Sequence, residues 1–306
     1  MTQFPGSLFQ DENMFINDLI AKIREIDGPK KDSPENGALT GLVIGVINQK
    51  GGCGKTTTVI NLGACLAEMG MKVLIIDVDP QGHATLGLGH KLQDSELSLY
   101  NILVRPELHI SAIVRQTYHE RLHIVPSASI LASAQVDLIN MVGREALLRS
   151  KINNIRYDYN FVILDCPPSL NLLTVNALVA SCKVIIPVQT HYYSLNGMSE
   201  LFKTIDIVRR RLNPELDIMG ILPTLFDKRL KVNHQFLQAL KDYFGNNNKV
   251  KIFDSIIHNC ISLIESPIYG KPAIKYRPNS RGSNDYLNLT KEILALENMP
   301  SQSQQL

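Results

Sequence analysis

Asn48-Gln49-Lys50-Gly51-Gly52-Cys53-Gly54-Lys55-Thr56-Thr57-Thr58 is the stretch that decides how this chain is read. An apolar run, Leu42 to Ile47, precedes it, and a segment with helical spacing, Val59 to Met69, follows. Strand, glycine-rich turn and helix form the context that a phosphate-binding loop needs. Gly51, Gly52 and Gly54 let the backbone curl so that successive N–H groups face phosphate oxygens. The loop feeds a helix N-terminus, whose free donors and dipole favour negative charge. Lys55 can reach the β- and γ-phosphates, and the Thr56 hydroxyl can ligate Mg2+. The stretch departs from the pattern G-x-x-x-x-G-K-[ST]: Gln49 stands where the first glycine is expected, and Lys50 is an added lysine. So close to the phosphates, Lys50 can act on its own nucleotide or reach across to a partner's.

Working outward, Lys72 to Asp79 reads as a buried strand ending in carboxylates, with Gly70 as the C-cap of the preceding helix. Leu122 to Pro126 predicts a third strand, and 128–156 predicts mainly helix. Phe161 to Asp165 is a fourth apolar run with a terminal carboxylate. In parallel sheets ligands bind outside the carboxyl ends of strands. Asp79 and Asp165 are therefore candidate members of the nucleotide site. Each alone reads equally well as a residue capping the next turn; two behind one phosphate loop favour the site. Further strands are expected at Val184–Val188, Ile218–Leu222 and Val250–Ile257, a short extended piece at Pro272–Tyr276, and helices over about 195–211, 232–244 and 286–296. Strands alternating with helices imply an α/β fold, a doubly wound and mainly parallel sheet.

Composition sets outer limits. The chain has 306 residues, 44% hydrophobic and 20% charged, enough to bury a large core. A net charge of +2 does not by itself call for nucleic acid, so any such contact must come from a local patch. The five cysteines form no C-x-x-C pair, which suggests neither zinc nor a disulfide framework. Cys53 reads as a small residue that fits the loop. No signal-like start or membrane-spanning run is present, so the expected compartment is the cytoplasm. Residues 1–40 read as an N-terminal arm: Phe15, Ile16, Leu19, Ile20, Ile23 and Ile26 recur with helical spacing, and a linker rich in Pro, Gly and charge follows. Its mixed charge argues against a membrane-surface helix. A short helix docking on its own domain or on a dimer mate is the favoured reading. The main domain is expected over 41–298, with a disordered polar tail at 299–306.

Lys50-Gly51-Gly52-Cys53-Gly54-Lys55-Thr56-Thr57, Asp77-Val78-Asp79-Pro80-Gln81-Gly82 and Leu164-Asp165-Cys166-Pro167-Pro168-Ser169 resemble the deviant Walker A ATPases of the ParA/MinD group, P-loop NTPases in fold. The likeness is greatest to Soj-type partition ATPases and runs from about Leu42 to Leu296. It implies ATP and Mg2+ as cofactors and a homodimer sandwiched on ATP. Residues 50–57 would hold ATP, with Lys50 contacting the partner's nucleotide. Asp79 would orient the attacking water near the metal, and Asp165 would hold Mg2+ through a water. It also implies slow hydrolysis stimulated by a ParB-like partner, non-specific DNA binding, and association with the nucleoid. Arg229, with Lys228 and Lys231 beside it, is the DNA-binding candidate. Soj-type chains usually carry arginines in the loop before Glu-x-Pro, whereas here 258–267 has none. DNA contacts are therefore expected to be weaker or shifted to Lys249, Lys251, Lys271 and Lys275. The arm is too short for the helix-turn-helix domain of larger partition ATPases. An ATPase positioning a protein cargo through an adaptor, such as a chemoreceptor cluster or carboxysome-like body, is the alternative. A MinD-like membrane-cycling regulator is disfavoured by the C-terminal sequence.

Overall fold

In the computed structural model, residues 41–93, 96–191, 198–245 and 250–298 are described. The arm, the tail, Lys249 and residues 192–197 therefore lie outside the described residues. Seven strands make one sheet: β1 Leu42–Val46, β2 Val73–Asp77, β3 Arg115–Gln116, β4 Leu122–Val125, β5 Phe161–Asp165, β6 Lys183–Gln189 and β7 Asp217–Thr224. Their order is β3-β4-β2-β5-β1-β6-β7. Every neighbouring pair is parallel except β3 against β4.

Helices cover both faces, which is why the central strands are apolar runs and not alternating ones. Successive side chains point to opposite faces. Val43, Leu74, Ile76, Val162 and Leu164 enter one core. Ile44, Val46, Val73, Ile75, Phe161 and Ile163 enter the other. The helices are α1 Lys55–Glu68, α2 His83–Gly87, α3 Leu99–Val104, α4 Ala134–Asp137, α5 Leu147–Asn153, α6 Leu172–Ala180, α7 Met198–Arg211, α8 Lys231–Gly245, α9 Ile261–Glu265, α10 Ala273–Tyr276 and α11 Arg281–Leu296. The second core is closed by α1 and α11 through Leu62, Leu66, Leu289 and Ile293. The first is closed by α3, α5, α6, α7 and α8 through Ile102, Leu148, Leu173, Leu201 and Phe236. Gly63 exists for this packing: a Cβ there would meet Ile75 Cδ1 at 2.8 Å.

Three expectations need correction. The second strand stops at Asp77, so Asp79 lies beyond its end. Val250–Ile257 runs beside β7 in separate contacts and not as a continuous strand: isolated bridges join Ile221 to Ile252 and Phe226 to His258, and the Ile257 N–H donates to the Pro223 carbonyl. The pairing breaks because the Asp254 and Ser255 N–H groups donate to the Glu292 carboxylate instead, each at 3.0 Å. Pro272–Tyr276 is not extended: Pro272 opens α10, where its missing N–H costs nothing. The stretch 128–156 is mainly helical, as expected, but in short pieces: α4, α5 and 3-10 turns at Ser129–Ser133 and Arg144–Ala146.

Candidate nucleotide site

The loop between β1 and α1 lies at the carboxyl edge of the sheet, beside the ends of β5 and β6. It is held from both sides. Asn48 donates to the Pro187 carbonyl at 2.7 Å and accepts from the Lys50 N–H at 2.9 Å. Thr224, the last residue of β7, donates to the Cys53 carbonyl at 2.8 Å. Gly52 and Gly54 adopt φ of 70° and 91°, conformations that a side chain would strain. A Cβ on Gly51 or Gly52 would meet nothing within 4 Å, so the loop encloses open space. The helix begins at Lys55 with no side-chain cap, leaving its first N–H groups to a ligand. Lys55 is almost buried and donates to the Lys50 carbonyl at 3.2 Å. Its ammonium thus lies across the mouth of the loop.

Three carboxylates converge behind it. Asp77 and Asp165 sit opposite each other in β2 and β5 and are completely buried. Asp77 is spoken for: its Oδ2 accepts from the Thr85 N–H at 2.8 Å and hydroxyl at 2.7 Å, and its Oδ1 accepts from the Asp79 N–H at 3.2 Å. Burial nevertheless pushes Asp77 up to about 7, against the Thr85 hydrogen bonds. Asp165 is different. Among the described residues, neither of its oxygens has a hydrogen bond of standard geometry, and the Thr56 hydroxyl is close by. Burial and then the Asp77 charge push it well above the usual carboxylate range, while the nearby Thr56 hydroxyl and Lys55 favour its ionised form. A buried carboxylate with both oxygens free, beside a threonine hydroxyl, is a donor set that suits Mg2+ and its waters. Asp79 stands close enough for its charge to act on both, and its Oδ1 accepts from the Gln81 N–H at 2.9 Å. Cys53 is buried in the loop, and that burial raises its thiol even though Lys55 lowers it, as for a packed side chain.

The structure therefore brings together Lys50, Gly51, Gly52, Cys53, Gly54, Lys55, Thr56, Thr57, Asp79 and Asp165. Reading the sequence passed over Asp77 and Thr85, which fix the turn after β2. It also passed over Tyr286, whose hydroxyl lies 3.1 Å from Thr58 Oγ1 and ties α11 to the first turn of α1. Asp77 stands two residues before Asp79 and is the true end of the strand.

The basic candidates are dispersed. Lys228 and Arg229 lie on the connection between β7 and α8, and Lys231 opens α8, at the same sheet edge as the loop. Arg229 is 82% exposed, and its guanidinium folds onto Asp227 at 2.7 Å. Arg229 holds the Asp227 carboxyl down at about 2. Lys251 pairs with Glu292 at 3.3 Å, and Lys275 lies 5.9 Å from the Tyr118 ring on the face covered by α1. Lys271 is exposed beside α10.

Fold and site together define a P-loop nucleotide-binding α/β protein. Residues 41–218 match the family model described as an AAA domain. The chain is 44% identical over 255 residues to the sporulation initiation inhibitor protein Soj of Bacillus subtilis, covering 83% of this chain and 99% of that protein. It is 42% identical to the chromosome partitioning protein ParA of Myxococcus xanthus, covering 84% and 89%. A solved structure named cobyrinic acid a,c-diamide synthase from Mycobacterium smegmatis, with bound ATP analog and magnesium, is 32% identical with a TM-score of 0.75, covering 86% and 99%. The septum site-determining protein MinD of Pyrococcus horikoshii, complexed with Mg-ADP, shares the fold at a TM-score of 0.69 and 24% identity, covering 84% and 97%. This chain belongs to the ParA/MinD family of ATPases.

Proposed function

We propose that this chain is a partition ATPase that pairs on ATP and Mg2+, binds duplex DNA without sequence preference, and hydrolyses ATP when a ParB-like partner stimulates it. The observation that carries the reading is the added lysine, Lys50, at the rim of an open phosphate loop backed by the unpartnered Asp165 carboxylate. Bound Mg2+ would neutralise charge that develops on the phosphates. Lys55 and the α1 N-terminus hold the phosphates, Thr56 and Asp165 hold the metal shell, and Asp79 orients the attacking water. Lys50 enters the site of the facing copy, so that hydrolysis depends on pairing, as it does for an arginine finger supplied in trans.

Exposed apolar side chains support a second copy on this edge. Ile130, Val136, Ile139, Val142 and Leu170 are each at least 40% exposed, on connections that leave the carboxyl ends of β4 and β5. A pair clamped by intact ATP and released by hydrolysis is a switch. Lys228, Arg229 and Lys231 would give salt-sensitive contacts to DNA phosphates, with Lys251 and Lys275 as lesser candidates. No helix among the described residues is long and apolar enough to cross a membrane.

The arginine-free loop 258–267 favours a second reading, an ATPase that positions a protein cargo. Binding to random duplex DNA, measured with ATP and Mg2+ over a salt series, tests the DNA step of both. Tight binding at low salt that weakens steeply as salt rises is expected, and no binding at low salt would overturn it. Which adaptor raises ATP turnover, one bound to a DNA site or one bound to a protein assembly, separates the two.

A further inference from the structure

The segment α9 and the 3-10 turn after it, Ser266–Tyr269, present a face that nothing among the described residues covers. Ile261, Ile264 and Ile268 follow one another at spacings of three and four and are 64%, 65% and 79% exposed. Tyr269 extends the ridge and stacks on Tyr276, ring centroids 5.0 Å apart and 18° from parallel. The inner side of the same segment is fixed. Ser262 donates to Ser280 at 2.8 Å, and Leu263 packs so closely on α11 that a Cβ on Gly282 would meet it at 2.6 Å. The ridge is thus a rigid apolar surface, and its spacing is that of a helix-packing face turned outward.

We propose that this ridge is the seat of the chain's own amino-terminal segment, Phe15–Ile26. The segment carries Phe15, Ile16, Leu19, Ile20, Ile23 and Ile26 at helical spacing, a stripe that needs an apolar partner to hold its shape. The family match starts at residue 41, so the segment lies outside the shared domain. The chain enters the domain at Gly41, whose N–H donates to Tyr159 at the amino end of β1. Residues 27–40 can span about 46 Å when extended, at roughly 3.3 Å per residue. Leu263 places the ridge on the face closed by α1 and α11, so the path crosses a sheet about 17 Å deep at its five-residue strands and a helix layer about 10 Å thick, less than the tether can span. A tether of this length keeps the segment at a high effective concentration near the surface, which a free partner does not enjoy. The proposal does not rest on ATP, DNA or pairing.

Hydrogen–deuterium exchange on the full chain tests it. Exchange over 261–269 is compared between the wild type and the double variant Leu19→Glu/Ile23→Glu, at two protein concentrations tenfold apart. The expected result is at least tenfold slower exchange in the wild type, at both concentrations. Equal exchange in the two proteins would overturn the proposal. Protection that fades on dilution would also overturn it, by assigning the ridge to a second copy. A photo-crosslinking residue in place of Ile268 gives an independent reading that leaves the arm native. A cross-link within one chain to a peptide of 15–26 is expected; one between chains, or to another protein added as partner, contradicts the proposal.

Discussion

Asp77 and Asp165 occupy opposed positions in adjacent strands, yet one is fully hydrogen-bonded and the other has both oxygens free. The difference divides their work. Asp77 braces the turn that carries Asp79, through Thr85 and the Asp79 N–H. Asp165 is left for a ligand. Replacing Asp77 with Asn turns an N–H donor toward the Asp79 N–H or the Thr85 groups, and one buried donor must go unpaired. Asp77→Asn should destabilise the protein by about 1–3 kcal/mol, read as a shift of the urea midpoint at constant slope.

The two loop lysines should separate cleanly. Lys55→Ala should weaken nucleotide binding roughly 10–100-fold, the effect of losing a charged hydrogen bond, in a titration with a fluorescent ATP analogue. Lys50→Ala should keep that affinity within a few-fold, since its ammonium is assigned to the facing copy. Its partner-stimulated turnover should fall by about 10³-fold or more, the scale set by arginine fingers. Full turnover in Lys50→Ala would remove the trans role.

Much of this site could be read before any coordinates. Buried parallel strands have apolar neighbours on both faces, so β1, β2 and β5 appear as uninterrupted apolar runs, and a glycine-rich turn or a carboxylate after them is conspicuous. What stayed hidden depended on distant partners. The two-residue β3 is too short to carry a pattern. The end of β2 is set where Asp77 turns to Thr85, so the sequence pointed to Asp79 and passed over Asp77. The 250–257 stretch looks like a strand until Glu292, some forty residues on, takes its N–H groups. The isoleucines of α9 have the spacing of a core face, and only the packing of Leu263 inward shows that they face out.

The link between α1 and α11 offers a stability test away from the chemistry. Tyr286 is fully buried and its hydroxyl is 3.1 Å from Thr58. Tyr286→Phe keeps the ring packing and removes only that bond, so a loss of about 1 kcal/mol is expected in chemical denaturation. Nucleotide affinity should change little, because the Thr58 hydroxyl is turned to Tyr286 in the core and not to the loop.

Arg229 tests the basic connection after β7. Its guanidinium is exposed and paired with its neighbour Asp227, and a DNA phosphate can compete for it. Arg229→Ala should weaken binding to random duplex DNA uniformly across sequences and reduce the salt slope by about one. An unchanged affinity at all salt concentrations would move the contact to another surface.

In the proposed cycle, two copies are held face to face only while the triphosphate is intact. Its most direct test is the solution mass of the purified chain with Mg2+ and a non-hydrolysable ATP analogue, set against the mass with ADP. The mass should double with the analogue and return to that of one chain with ADP. A mass that stays at one chain with both nucleotides, under conditions where the analogue is bound, would contradict the account.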